Sequence, residues 1–98
     1  MIYHIVTTTD WTAQRDSLTY AAASLANEGF IHLSTKEQVA GVLKRYYQNV
    51  PDLLLLHVDP NKLTADLRYE AATNNELFPH LYGPLNKDAV VNIDPIDQ

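Results

Sequence analysis

Six side chains of this 98-residue chain could together do polar chemistry: His32, Ser34, Arg68, Glu70, His80 and Tyr82. They fall in three short blocks. In residues 30–34, read as a strand, alternate side chains share a face. Phe30, His32 and Ser34 therefore point one way, and Ile31 and Leu33 point the other way, toward a core. In residues 66–70 the same alternation puts Arg68 and Glu70 on one face, roughly 7 Å apart at the usual strand rise. His80 and Tyr82 follow in a third block bounded by Pro79 and Pro84. If the three blocks line one crevice, they supply an imidazole, a hydroxyl, a cation, a carboxylate and an aromatic wall. A few such polar groups among apolar walls is the usual make-up of a small-molecule pocket. Ser34 also stands at a helix start, where exposed N–H groups favour anions. Each residue has a plainer reading too. His32 can be a hydrogen-bonded strand histidine, Ser34 a cap, and Arg68 with Glu70 a surface pair of little energetic weight. His80 and Tyr82 can simply fix a loop, and His4 and His57 read as structural.

Other chemistries find little support. The absence of cysteine removes disulfides, thiolate nucleophiles and the commonest structural zinc sites. His4, His32, His57 and His80 lack the i, i+4 spacing of a helical ligand pair, so no metal site is expected. Ser34 and His32 share a face but stand too far apart for a direct hydrogen bond. There is no Gly-x-Ser-x-Gly elbow, and no Rossmann or P-loop glycine pattern. The formal charge is −5 with scattered Lys and Arg, so a nucleic-acid partner is not expected. The apolar start, residues 1–6, lacks a basic flank and turns polar at Thr7. No later run approaches a membrane span, so no membrane partner and a cytoplasmic location are expected.

The elements that must position these groups read as one α+β domain over residues 1–98. A chain of this length supports one core, and 46% apolar with 19% charged residues is ordinary for a globular protein. Residues 2–6 read as a strand. Residues 7–17 are polar, with Asp10 as a candidate cap of a short helix. Residues 18–25 fit helix or extended chain equally, and residues 27–29 read as a turn. After Ser34 come two overlapping capping boxes, Ser34 with Glu37 and Thr35 with Gln38. Val39, Val42, Leu43 and Tyr46 then recur at helical spacing, which predicts one main helix over residues 35–47 with that face buried. Residues 53–58, Leu-Leu-Leu-Leu-His-Val, have no polar alternation and predict a strand covered on both faces. Residues 66–70 and 89–93 read as further strands. Residues 78–85 hold two prolines and a glycine, and read as irregular or as an edge.

Four ordered blocks carry a resemblance over nearly the whole chain: Glu28-Gly29-Phe30-Ile31-His32-Leu33-Ser34, then Asp52-Leu53-Leu54-Leu55-Leu56 with Val58-Asp59-Pro60. Leu67-Arg68-Tyr69-Glu70 follows, then Phe78-Pro79-His80-Leu81-Tyr82-Gly83-Pro84-Leu85. Together they resemble the bacterial family catalogued as domain of unknown function 952. The resemblance implies a compact domain similar to the ADP-ribosylation fold, with a split, curved, mainly antiparallel sheet. In that superfamily an early strand histidine commonly binds ribose, and a carboxylate can stabilise an oxocarbenium-like transition state. His32 and Glu70 resemble those two roles and are the catalytic candidates; His32, Ser34, Arg68, His80 and Tyr82 are the ligand-binding candidates. Leu33 follows His32, so the His-Gly-Thr signature is absent, and no Ser-Thr-Ser equivalent is found.

Two readings follow. In one, a small molecule of nucleotide or NAD/ADP-ribose type is bound, with NAD the one cofactor suggested and ADP-ribosyl-type transfer the reaction. In the other, the chain is a non-catalytic module for a small ligand or a protein. The oligomeric state is not legible in the sequence.

Overall fold

The computed structural model describes residues 1–97, and its strands form three antiparallel sheets. The first has β4 (Leu53–Val58) between β1 (Ile2–Thr7) and β8 (Val90–Ile96). The leucine run is central, as its lack of alternation predicts: Leu53, Leu56 and Val58 are buried. The second pairs β2 (Thr19–Tyr20) with β7 (Leu85–Asn86). The third has β6 (Leu77–Tyr82) between β3 (Ile31–His32) and β5 (Asp66–Ala71). One two-bond bridge joins the outer sheets. Tyr3 of β1 exchanges both backbone hydrogen bonds with Ser34, each 2.8 Å. Ile2, Val6, Ile31, Leu33, Leu56, Val58, Leu81 and Leu85 belong to one buried apolar cluster.

Residues 78–85 correct the reading of an irregular edge, since β6 is a central strand despite Pro79. The reason lies in where the missing donor falls. The Pro79 carbonyl accepts from Leu33 N–H at 3.0 Å, just past the end of β3. The reciprocal bond would need a Pro79 N–H, so the β3 ladder stops there while pairing to β5 continues from Asp66 to Ala71. Pro79 thus sets the length of β3 without expelling β6 from the sheet.

The helical parts differ from the expected single main helix. There are three short helices, α1 (Thr8–Ala13), α2 (Ala23–Glu28) and α3 (Val39–Tyr46). Thr7, not Asp10, caps α1, its hydroxyl accepting from Asp10 N–H at 3.1 Å. Residues 18–25 divide between β2 and α2. Gly29 ends α2 at φ 90°, donating to the Leu25 carbonyl at 3.1 Å, and turns the chain into β3. Of the two capping boxes the second forms: Gln38 Oε1 accepts from Thr35 N–H at 2.9 Å. Ser34 is excluded from capping because its backbone is held by Tyr3. A 3-10 turn, Lys36–Gln38, then leads into α3. The expected buried stripe on α3 is also corrected. Val39, Val42 and Leu43 are only half-buried, and Tyr46 is exposed. None of the helices among the described residues is long and apolar enough to cross a membrane.

Gly83, between β6 and β7, is a position where only glycine fits. Its φ is 156°, and an added Cβ would lie 2.7 Å from the Ala65 Cβ. That neighbour is fixed to the backbone and cannot swing aside. Gly83→Ala is therefore expected to lower stability by about 1–3 kcal/mol, read as a lower urea midpoint. An unchanged midpoint would mean that the segment around Ala65 yields freely.

Candidate functional site

The third sheet brings the three sequence blocks together on one face. His32 stands opposite His80, and His80 opposite Arg68, while Glu70 is opposite Phe78 and Asp66 opposite Tyr82. Residues directly across an antiparallel pair share a face. His32, His80, Arg68, Glu70 and Tyr82 therefore lie on one side. Ile31, Pro79 and Leu81 lie on the other and are fully buried.

At the centre is His80, 4% exposed and stacked on Phe30 with ring centroids 4.0 Å apart and planes at 21°. Its Nδ1 lies 2.9 Å from Glu70 Oε1, and the Tyr82 hydroxyl donates to the same oxygen. The Tyr82 bond first, and then the His80 bond, hold the Glu70 carboxyl below its ordinary range. The same bond raises the Tyr82 phenol. An ionised Glu70 only accepts, so His80 carries its proton on Nδ1. His80 Nε2 is buried with no hydrogen-bond partner among the described residues. Glu70 Oε2 likewise makes no hydrogen bond there, on a side chain that is 38% exposed. Arg68 pairs with Asp66 at 2.8 Å rather than with Glu70, and its guanidinium lies 4.7 Å from the Tyr82 ring centroid.

His32 is the half-exposed neighbour of this group, its ring edge-on to His80 at 5.5 Å. Its Nε2 meets Glu28 Oε2 at 3.0 Å, and its backbone carbonyl accepts from His4 Nδ1 at 2.7 Å. Burial pushes the His4 ring down to about 4, so at neutral pH it is an uncharged donor that holds His32 in place.

Beside His32 opens a cleft of about 470 Å³, bounded by His32, Ser34, Val42, Tyr46, Thr73 and Phe78 among others. The Tyr46 hydroxyl and Thr73 Oγ1, 3.0 Å apart, tie α3 to the β5–β6 turn. Of the six residues singled out in the sequence, His32 and Ser34 line this cleft. Arg68, Glu70, His80 and Tyr82 form the adjoining network, with His32 as the link. Sequence reasoning missed Phe30, Glu28, Tyr46 and Asp66. Phe30 was accessible, because strand alternation already placed it on the His32 face. Helical spacing alone puts Tyr46 in the core.

The family described as protein of unknown function (DUF952) matches residues 5–93. The crystal structure of protein CC0527 from Caulobacter crescentus is 33% identical and superposes with a TM-score of 0.90. That match covers 98% of this chain and 85% of CC0527. The solution structure of CC0527 gives a TM-score of 0.84 at 33% identity, covering 98% of this chain and 84% of that one. No curated protein matches.

Proposed function

Since the chain belongs to the DUF952 family, whose description assigns no activity, function must come from the site, and we propose a binding domain for a nucleotide-like small molecule of the NAD or ADP-ribose class. The observation that carries this reading is Glu70. Its carboxylate is kept ionised by Tyr82 and His80, and its Oε2 stays open on the sheet face that His32 shares, beside a cleft of about 470 Å³. A ribose diol offers the O–H donors that such a carboxylate accepts. The cleft has the size of a small-molecule pocket, and Phe78, Val42, Tyr46 and Tyr47 give it the apolar and aromatic wall that a planar base needs. Two three-stranded antiparallel sheets joined at Tyr3 and Ser34 also agree with a split sheet of ADP-ribosylation type. In this reading Glu70 and His32 are the groups that would act in ADP-ribosyl-type transfer, Glu70 by stabilising positive charge that develops on the ribose.

A second reading is binding without chemistry. It is favoured by one observation: Glu70 is not among the residues lining the cleft. Thermal shift and calorimetry with NAD, ADP-ribose and AMP test the shared part, because a ligand of the native state raises the melting temperature. Wild type is expected to be stabilised, and His32→Ala and Glu70→Gln to bind about tenfold or more weakly while remaining folded. Absence of stabilisation by all three ligands, or unchanged affinity in both variants, would sink the proposal. Release of nicotinamide from NAD by wild type, lost in Glu70→Gln, selects transfer; binding without release selects the second reading.

A further inference from the structure

We propose that a second, smaller cleft on the other side of His32 binds a primary ammonium group. This cleft encloses about 230 Å³ and is lined by His4, Asp10, Tyr20, Ser24 and Tyr47, among others. His32 and Tyr47 border both clefts. The inference does not rest on the nucleotide reading of the larger one.

Three groups there want a donor or a positive charge. Asp10, exposed in the first turn of α1, forms no ion pair among the described residues. Tyr20 is only 3% exposed as a residue, and its hydroxyl, which is not sealed from solvent, makes no hydrogen bond among the described residues. His4 is 7% exposed and spends Nδ1–H on the His32 carbonyl, which leaves Nε2 as a lone-pair acceptor. The Tyr20 oxygen keeps lone pairs that an N–H donor in the cleft can use.

The electrostatics select the sign of the ligand. The cleft lining contains no Lys or Arg, and His32 already faces Glu28. Burial keeps His4 neutral, with its ring down at about 4. Burial, and then the Asp10 charge, push Tyr20 up to about 12 and raise Tyr47 as well, so both phenols stay uncharged. Among the described residues Asp10 is thus the one full charge that the lining presents without a partner, and it stands near two aromatic rings that themselves attract cations. An anion would be repelled. A quaternary ammonium carries charge but no donors, and an alcohol carries a donor but no charge. A primary ammonium has three N–H donors, matching the Asp10 carboxylate, His4 Nε2 and the Tyr20 oxygen in number.

The test uses the whole chain, observed by NMR and titrated with n-butylammonium, n-butanol and tetramethylammonium. Butylammonium is expected to bind saturably and to move the His4 and Tyr20 signals. The other two should bind about tenfold or more weakly. Asp10→Asn should weaken butylammonium about tenfold or more, and Tyr20→Phe several-fold. Both variants should keep a dispersed spectrum, since Asp10 is exposed and the Tyr20 hydroxyl holds nothing. Any ADP-ribose affinity of wild type should survive in Asp10→Asn, which separates this site from the larger cleft. The proposal is overturned if butylammonium leaves His4 and Tyr20 unmoved, if it binds Asp10→Asn as it binds wild type, or if butanol or tetramethylammonium binds equally well.

Discussion

Truncating Leu56 to alanine is expected to lower the unfolding free energy by about 2–5 kcal/mol, the range for deleting a fully buried leucine. Leu56 is 0% exposed at the middle of β4, with His4 opposite on β1 and Ile93 opposite on β8. Close-packed neighbours on both sides limit how far the site can collapse, so lost transfer energy and a residual cavity both contribute. Denaturant melts of Leu56→Ala and of Leu18→Ala make the measurement. Leu18 is 89% exposed, and its truncation should change stability by no more than about 0.5 kcal/mol. Equal, small effects at both positions would show that β4 is not the centre of the core.

A second large effect is expected from acid. His4 is buried neutral, its ring lowered from 6.5 to about 4 by burial, against a raising influence from its bond to the His32 carbonyl. The unfolded chain takes up a proton near 6.5 that the folded chain refuses until about 4. Stability is therefore complete above pH 6.5 and falls as the pH drops through that window, levelling off below it, with a total of about 3 kcal/mol from this group. His4→Gln should flatten the dependence of stability on pH between 6.5 and 4, whatever it does to stability at pH 7. Parallel pH profiles for wild type and variant would overturn the assignment. Glu70, whose carboxyl is held low by Tyr82 and His80, loses stabilisation in the same direction but in a more acidic range.

How much of this was legible in the sequence depended on how local the deciding forces are. The leucine run of β4 and the Thr35–Gln38 box are set by neighbours in the chain, and they read correctly; the turn expected over residues 27–29 narrows to Gly29, because Asn27 and Glu28 belong to α2. The alternation in β3 and β5 also read correctly, because strand geometry alone fixes it. β6 did not. Pro79 within it and Pro84 just beyond argue for an edge, and only the end of β3 beside Pro79, a long-range fact, makes a central position tolerable. Tyr46 misled for the opposite reason. Its spacing fits an apolar stripe, but α3 lies over a cleft, so the last turn faces solvent and Thr73. For the site, the sequence could place His32, Arg68, Glu70, His80 and Tyr82 on sheet faces. It could not reveal that Arg68 would turn to Asp66, that Tyr82 and His80 would share one oxygen of Glu70, or that His4 would support His32 from another sheet. Those outcomes depend on which strands become neighbours.

The strand order β1-β4-β8 has a consequence for how fast the chain reaches its native state. Tyr3 must find His57, and His57 must find Asn92, so the first sheet closes only after two long loops have been ordered. The Tyr3–Ser34 bridge adds a third distant closure. Loop-closure entropy is lost before any of these contacts can repay it, and high contact order of this kind belongs to folding times of milliseconds to seconds rather than microseconds. The two three-stranded sheets are tied together, because Ser34, two residues past β3, is held by Tyr3 of β1. The chain should therefore cross a single late barrier, and during that interval the apolar edge of β4 stays open to other unfolded copies.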